Sequence, residues 1–296
     1  MANSQSLQRI SLYRPFVAQT VAASSGDRPL SFFEHLEEAR ERLRVVVYAF
    51  ILAFVVFLVF SFQYVVVLGV PMWLPLPALN LQEGIAQQFF VAIRAWLVPT
   101  YVTPVVLTPW EPVIVQFKVA LFLAVVATSP VSTYEFWRFV APALNARERR
   151  LIIRVSVPVV LLFLAGVTLS FLVVLPFTFS FLYGIAIAMG ALPLLQVQEF
   201  LDFVLLFSLA FGIAFELPVV MYGLSVLGVV EPEFWKKNWR YAVVAIFFFG
   251  AAITPDGSGV TMMLVSIPML ALYAGGYVAI RLRLRRTGRN NGSTKS

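Results

Sequence analysis

The sequence predicts an all-α polytopic membrane protein with six transmembrane helices. Hydrophobic residues make up 60% of the 296 residues and charged residues only 12%, whereas soluble domains average about 45–50% and about 25%. A hydrocarbon core is about 30 Å thick, which sets the length of a crossing helix. Apolar runs that meet this length, or nearly meet it, lie at about 43–63, 113–139, 152–177, 200–227, 239–253 and 260–281. We expect them to form one membrane domain over residues 31–281.

The distribution of basic residues predicts the orientation. All but two of the 22 Lys and Arg residues fall within four segments, at 1–44, 138–154, 228–240 and 281–296. Cytoplasmic segments of membrane proteins carry an excess of Lys and Arg. Placing the four segments on one side agrees with an even number of crossings, so we expect both termini in the cytoplasm.

The two ends of the chain are predicted to be cytoplasmic tails. Residues 1–30 are polar and favour a disordered tail, although two arginines before the first acid also resemble an organellar transit peptide. Residues 282–296 form a basic tail. We expect the membrane to be the inner (plasma) membrane of a prokaryote rather than that of an organelle.

The fifth and sixth apolar runs are short. The fifth, WRYAVVAIFFFGAAI, spans about 22 Å at about 1.5 Å per residue, so it requires a thinner bilayer or inward movement of water and headgroups. The turn that follows, TPDGSG, contains Asp256, a proline and two glycines, which is a strong turn signal.

An extended, proline-rich loop is predicted at residues 64–112. Within it, EGIAQQFFVAIRAWLVP has the pattern of a short amphipathic helix. This helix is expected either to lie on the outer membrane surface or to dock a partner.

The residue content excludes most catalytic chemistry. The chain has no cysteine and one histidine, His35, which removes thiolate sites and most imidazole chemistry. No phosphate-binding loop, zinc-protease motif or nucleophile elbow is present. We therefore expect no enzyme, no cofactor and no metal, and an energy source that is either a gradient, such as the proton-motive force, or a partner. The net charge of +7 is explained by the cytoplasmic segments, so nucleic acid is not an expected partner.

One carboxylate interrupts the fourth apolar run. In LLFSLAFGIAFELPVVMYGL, Glu216 is the only Asp, Glu, His, Lys or Arg residue, and a charge at mid-membrane costs about 2.5–3.5 kcal/mol on insertion scales. Pro218 should bend the helix at the same level. Two explanations remain open: a protonated Glu216 bonded to a neighbouring helix, or a polar spot on a concave face that contacts a polar group of a bound peptide or of a partner helix.

Two cytoplasmic stretches combine acids with arginines. SFFEHLEEARERLRVV precedes the first span and allows an i, i+4 ion pair between Glu38 and Arg42. YEFWRFVAPALNARERRLIIR follows the second span and places Glu148 among three arginines. Orientation signals explain the arginines but not this glutamate.

These stretches resemble the TatC family, the multispanning subunit of the twin-arginine protein translocase. HLEEARERL is similar to the family signature His-Leu-x-Glu-Leu-Arg-x-Arg-Leu. The similarity continues in order, over roughly residues 31–281, through PWEPVIVQFKVALF, FWRFVAPALNARERR, AFGIAFELPVV and ITPDGSGVTMMLVSIPMLALY.

The resemblance implies a receptor core that binds twin-arginine signal peptides of folded cargo at the cytoplasmic face. It assigns signal-peptide binding to Glu38, Glu148, Arg40 and Phe139. It also implies contacts with small single-span subunits of the TatA/TatB type, with membrane lipids and with further copies of the receptor. Glu216 and Pro218 match an intramembrane polar contact for partners, and Asp256 matches an acid of an outer turn.

The chain also departs from the family pattern. Ala39 replaces a leucine, Ala274 replaces a glutamate that many members carry, and Glu135 stands where a neutral residue is expected. A secondary transporter that uses Glu216 as a proton or cation site is the main alternative function. A membrane scaffold with no transport role is a third.

Overall fold

The computed structural model describes residues 32–67, 70–78, 83–140, 146–226, 228–254 and 259–292. The helices are α1 (Phe32–Val59), α2 (Ile85–Leu97), α3 (Glu111–Val140), α4 (Ala146–Leu169), α5 (Leu175–Ala188), α6 (Val197–Ala214), α7 (Leu217–Val226), α8 (Pro232–Lys237), α9 (Trp239–Ile253) and α10 (Gly259–Gly292). The strands are β1 (Phe60–Val67), β2 (Val70–Pro77), β3 (Thr103–Val105) and β4 (Leu194–Gln196). The predicted tail at 1–30 lies outside the described residues.

Five helical segments of the described chain are long and apolar enough to cross a membrane. They are Leu36–Val59, Glu111–Phe139, Ser156–Ala188, Val197–Val226 and Gly259–Arg283. The predicted fifth span is the shorter apolar helix α9, whose bounds match the sequence prediction. The mostly helical membrane fold is therefore confirmed, while the all-α description is incomplete because two small sheets are present. The prediction of a short sixth helix is wrong, because Gly259–Arg283 is a candidate span of 25 residues.

A π-helical turn joins α4 to α5 and extends the third span beyond its predicted end. It comprises Ser170–Val174, where the backbone bonding register shifts. The Ser170 hydroxyl donates to Val167 O at 2.7 Å, and its oxygen lies 2.9 Å from Ser208 Oγ on α6. The carbonyl of Phe171 accepts a hydrogen bond from Trp96 Nε1 at 3.1 Å, so the irregular turn is also the attachment point of α2.

The fourth span is broken at Glu216. The amide of Glu216 donates to Ile213 O at 3.0 Å, three residues back, and α7 starts at Leu217. Pro218 occupies the first turn of α7, where a missing N–H costs no intrahelical bond. The predicted bend at this proline is thus a short break between two helices.

Aromatic and small residues pack α6 against its neighbours. Four phenylalanines at i, i+4 spacing run along α6 with ring centroids 5.3–5.5 Å apart: Phe203, Phe207, Phe211 and Phe215. Gly166 of α4 and Gly212 of α6 lie at the contact between these helices, where a Cβ at either position would lie within 2.8–2.9 Å of neighbouring atoms. The fourth span is therefore held closely against the third.

Two polar contacts join the amino-terminal ends of α3 and α6. Buried Glu111 accepts hydrogen bonds from the amides of Leu107 and Gln198, each at 2.8 Å. Deeper along both helices, Lys118 Nζ lies 2.5 and 2.8 Å from the carboxylate oxygens of Asp202. Both contacts bridge segments more than 80 residues apart in sequence.

The predicted amphipathic helix of the long loop is confirmed as α2. Its apolar face is buried within the protein, against α3 and α5, through Ala86, Phe90, Ile93 and Leu97. Phe89 contacts the rings of Phe122 and Phe171 at centroid distances of 6.2 and 6.0 Å. This face packs on the protein rather than on lipid.

Candidate functional site

The acidic start of α1 places Glu38 in contact with a guanidinium group. Arg42 Nη2 donates to Glu38 Oε1 at 3.0 Å, and the two side chains are 22% and 19% exposed. The predicted i, i+4 pair is confirmed. Arg40 Nη1 lies 3.7 Å from Glu37 Oε1, and both of these side chains are largely exposed. Glu38 is thus the more shielded of the two paired acids.

The carboxyl-terminal end of α3 carries a buried acid that the sequence marked as unusual. Glu135 is 6% exposed, and its Oε1 lies 3.7 Å from Arg138 Nη1. The Arg138 guanidinium also lies 5.8 Å from the centre of the Tyr134 ring. Phe139, the next residue, is half-buried.

Glu148 belongs to the first turn of α4, which begins at Ala146. Carboxylates are favoured at helix amino termini because the helix dipole is positive there. This position accounts for one acid within an arginine-rich segment. The side chain of Glu148 and all of Asp256 lie outside the described part of the structure.

A cavity of about 450 Å³ lies between α1, α3, α4 and α6, with Glu216 on its wall. Its apolar walls include Phe50 and Phe163. Hydroxyl groups from one side of α3 also line it: Thr128, Ser129, Ser132 and Thr133. The cavity therefore combines a carboxylate and a row of hydroxyls with an otherwise apolar surface.

Two of the cavity hydroxyls have hydrogen-bond partners, whereas one oxygen of Glu216 has none among the described residues. Thr128 and Ser129 donate to the carbonyls of Ala124 and Val126, at 2.6 and 2.8 Å, within their own helix. Glu216 Oε1 is buried and has no hydrogen-bond partner among the described residues. A buried polar atom without a partner is costly, so this oxygen is suited to a group that enters the cavity.

Sequence interpretation missed the residues that hold the helix ends. Glu111, Lys118 and Asp202 are lone charges near the ends of apolar runs, which was the available signal. Their partners on the facing helix lie more than 80 residues along the chain and could not be inferred. Within the described ranges, no group of three or more His, Cys, Asp or Glu is arranged to hold a metal ion.

Known proteins similar to this chain share its length and its helical architecture. The family described as Sec-independent protein translocase protein (TatC) matches residues 34–268. The TatC protein of Cenarchaeum symbiosum is 40% identical, with 87% of this chain and 97% of that protein covered. The TatC protein of Aquifex aeolicus is 34% identical, with 81% and 90% covered.

The crystal structure of the twin-arginine translocase receptor TatC matches with a TM-score of 0.65 and 32% identity. The match covers 84% of this chain and 98% of the crystallised chain. The family match also includes both acidic stretches and the broken fourth span. This chain belongs to the TatC family, the multi-pass membrane component of twin-arginine protein translocation.

Proposed function

We propose that this protein is the receptor core of a twin-arginine translocase. It binds twin-arginine signal peptides at the cytoplasmic face and nucleates the assembly that exports folded proteins. The family match over residues 34–268 is the observation that carries the proposal. The receptor named in the matched crystal structure supports it.

Signal recognition is assigned to Glu38 and Glu148, with Arg40 and Phe139 beside them in sequence motifs that the family shares. A carboxylate accepts the two parallel N–H groups of a guanidinium, and arginine keeps its charge at all physiological pH values. Glu38 already accepts a hydrogen bond from the guanidinium group of Arg42 at 3.0 Å. We propose that Arg42 holds Glu38 at rest and that an arginine of the signal competes for it.

The topology proposed for this function has six crossings and both termini in the cytoplasm. Helix α9 supplies the fifth crossing and has 15 residues, which span about 22 Å. Lys236, Lys237 and Arg240 flank its start, as expected of a cytoplasmic end. A crossing this short favours a locally thinned bilayer, which lowers the barrier for folded cargo. The membrane is assigned as the plasma membrane of a prokaryote.

Glu216 is proposed as a polar contact for a partner helix, with the carboxyl group neutral at rest. The cavity offers its buried Oε1 and the α3 hydroxyls at a membrane-embedded level. Pro218 fixes the helix break that carries Glu216. A small single-span subunit with one polar group in its helix fits this site, because such a group needs a partner within lipid.

Crosslinking from positions near Glu216 tests the partner contact. Ile213 lines the cavity and is 67% exposed, while Val220 is 54% exposed and lies outside the cavity lining. A photoreactive residue at position 213 should form adducts with single-span subunits, and one at 220 should form few. Adducts at position 220 alone would contradict the cavity as the contact site.

Export of a folded reporter tests the receptor function. In a translocase-deficient strain that expresses this chain with single-span subunits, a reporter with Arg-Arg in its signal should cross the membrane. The same reporter with Lys-Lys should remain in the cytoplasm, because an ammonium group cannot form the bidentate contact. Export of both reporters, or of neither, would remove the assignment.

A further inference from the structure

The segment that follows α1 is uncharged, although the transmembrane helix has already ended. No Asp, Glu, Lys or Arg occurs between Arg44 and Glu83. Helix α1 ends at Val59, and the antiparallel hairpin of β1 and β2 follows directly. A hairpin that projects into water would be expected to carry charges on at least one face, and this one carries none.

In β1 the polar side chains lie on the more buried face and the aromatic side chains on the exposed face, which is the reverse of a strand that faces water. Ser61 is 1% exposed, and Gln63 on the same face donates from Nε2 to Ser61 Oγ at 3.0 Å. On the opposite face, Phe62 is 46% exposed and Tyr64 is 60% exposed. Water-facing antiparallel sheets bury apolar residues and expose polar ones. The opposite arrangement is typical of strands that face lipid.

The side chain of Gln88 on α2 covers one edge of the hairpin. Its Oε1 accepts the Phe62 amide at 3.2 Å, and its Nε2 donates to Phe62 O at 3.0 Å. Because both backbone groups of Phe62 point away from β2, Phe62 and Pro75 form a non-hydrogen-bonded pair. The bonding pattern alternates, so Phe60 with Pro77 and Val66 with Pro71 are pairs of the same type.

Prolines therefore occupy three of the four positions of β2 whose amides would point away from β1, and Trp73 is the fourth. Pro71, Pro75 and Pro77 carry no N–H, so three outward donors are absent from this edge. An unpaired amide costs little in bulk water and more where water is scarce. The edge of the hairpin therefore carries fewer unpaired donors than an ordinary strand edge, which suits a position at the membrane surface.

We propose that the exposed face of the hairpin, formed by Phe62, Tyr64, Pro75 and Pro77, lies in the lipid headgroup layer beside the carboxyl end of α1. Aromatic side chains with a polar tip favour this layer. No residue of α1 from Val45 to Val59 is fully buried by the protein, so this part of the helix depends on lipid contact. The hairpin anchors its outer end to the membrane surface.

Single-cysteine labelling tests this anchor, because the chain has no native cysteine. Phe62→Cys and Tyr64→Cys variants of the full chain are labelled with an environment-sensitive fluorophore and reconstituted in phosphatidylcholine and phosphatidylglycerol vesicles. Leu52→Cys, exposed on α1, is the lipid control, and Glu83→Cys, at an exposed acidic position, is the aqueous control. Only monodisperse protein is reconstituted, so misfolded variants do not contribute.

Labels at positions 62 and 64 should lose most of their fluorescence to lipids that carry a nitroxide near the headgroup, and little to aqueous iodide. The label at position 83 should show the reverse. Iodide quenching at 62 and 64 equal to that at 83 would overturn the proposal. The labels could instead be protected from both quenchers and lose this protection when lipid is added to lower the protein density in the vesicles. That result would also overturn the proposal, because it would show that this face binds a second copy of the chain.

Discussion

A chain with Glu38→Ala and Glu148→Ala together should lose signal-peptide crosslinking while it remains inserted in the membrane. Removing both carboxylates leaves the arginine pair without its acceptors, and hydrogen bonds to charged groups contribute about 1.5–3 kcal/mol each. Two such losses reduce binding by about a hundredfold or more. The measurement is the yield of adduct between the receptor and a twin-arginine signal peptide that carries a photoreactive residue beside the arginines.

The matched control is Glu37→Ala with Glu41→Ala. It removes the same amount of charge, here only from the start of α1, and the side chains of Glu37 and Glu41 are exposed. Crosslinking in this variant should stay close to that of the unmodified protein. Undiminished crosslinking in the Glu38 and Glu148 variant would refute the proposed site. Equal losses of crosslinking in both variants would show that overall negative charge, rather than these two carboxylates, is responsible.

Gly166→Ala should destabilise the contact between α4 and α6. The added Cβ would lie 2.8 Å from Phe215 Cγ and 2.9 Å from the backbone oxygen of Phe211. The backbone atom cannot rotate away, so the helices must separate. Overpacking of this kind costs about 1–3 kcal/mol. The cavity beside Glu216 is built on the same helices, so partner adducts at Ile213 should also decrease.

Gly184→Ala is the matched control for this substitution. Gly184 lies in α5, and a Cβ at this position would meet no atom within 4 Å. Alanine is favoured over glycine within a helix by about 1 kcal/mol, so this variant should be unchanged or slightly more stable. Thermal unfolding in detergent compares the two variants. Equal destabilisation by both would show that the close contact of α4 and α6 is not the cause.

The receptor function and the transporter alternative make different demands on Glu216. Among the described residues that line the cavity, Glu216 is the only ionisable one. A proton or cation path usually includes several ionisable or carbonyl groups in succession. Uptake of small ions by the purified protein in vesicles would favour the transporter.

The spans were predictable where charge and turn residues mark their ends. Helix α9 matches its prediction at both ends because Asn238 and basic residues precede it and Pro255 follows Thr254 in the sequence. The pair of Glu38 and Arg42 was predictable because both residues belong to one helix at i, i+4 spacing. In these places, local sequence alone determines the structure.

The hairpin and the helix-end contacts depend on distant residues instead. Residues after Val59 were predicted to continue the first span to about 63 and then to form a loop, whereas they form a hairpin whose position depends on Gln88, which lies 26 residues from Phe62. Glu111 accepts from Gln198, 87 residues away. Such contacts form only in the folded chain, so local pattern predicted the apolar runs but not these structures.

Recognition of the arginine pair is tested most directly by the crosslinking yield of the unmodified chain with two signal peptides that differ only at that pair. Carboxylate recognition of guanidinium predicts a high yield with Arg-Arg and a large loss with Lys-Lys, because lysine presents a point charge without the planar fork. Equal yields with the two peptides would contradict arginine recognition by this protein.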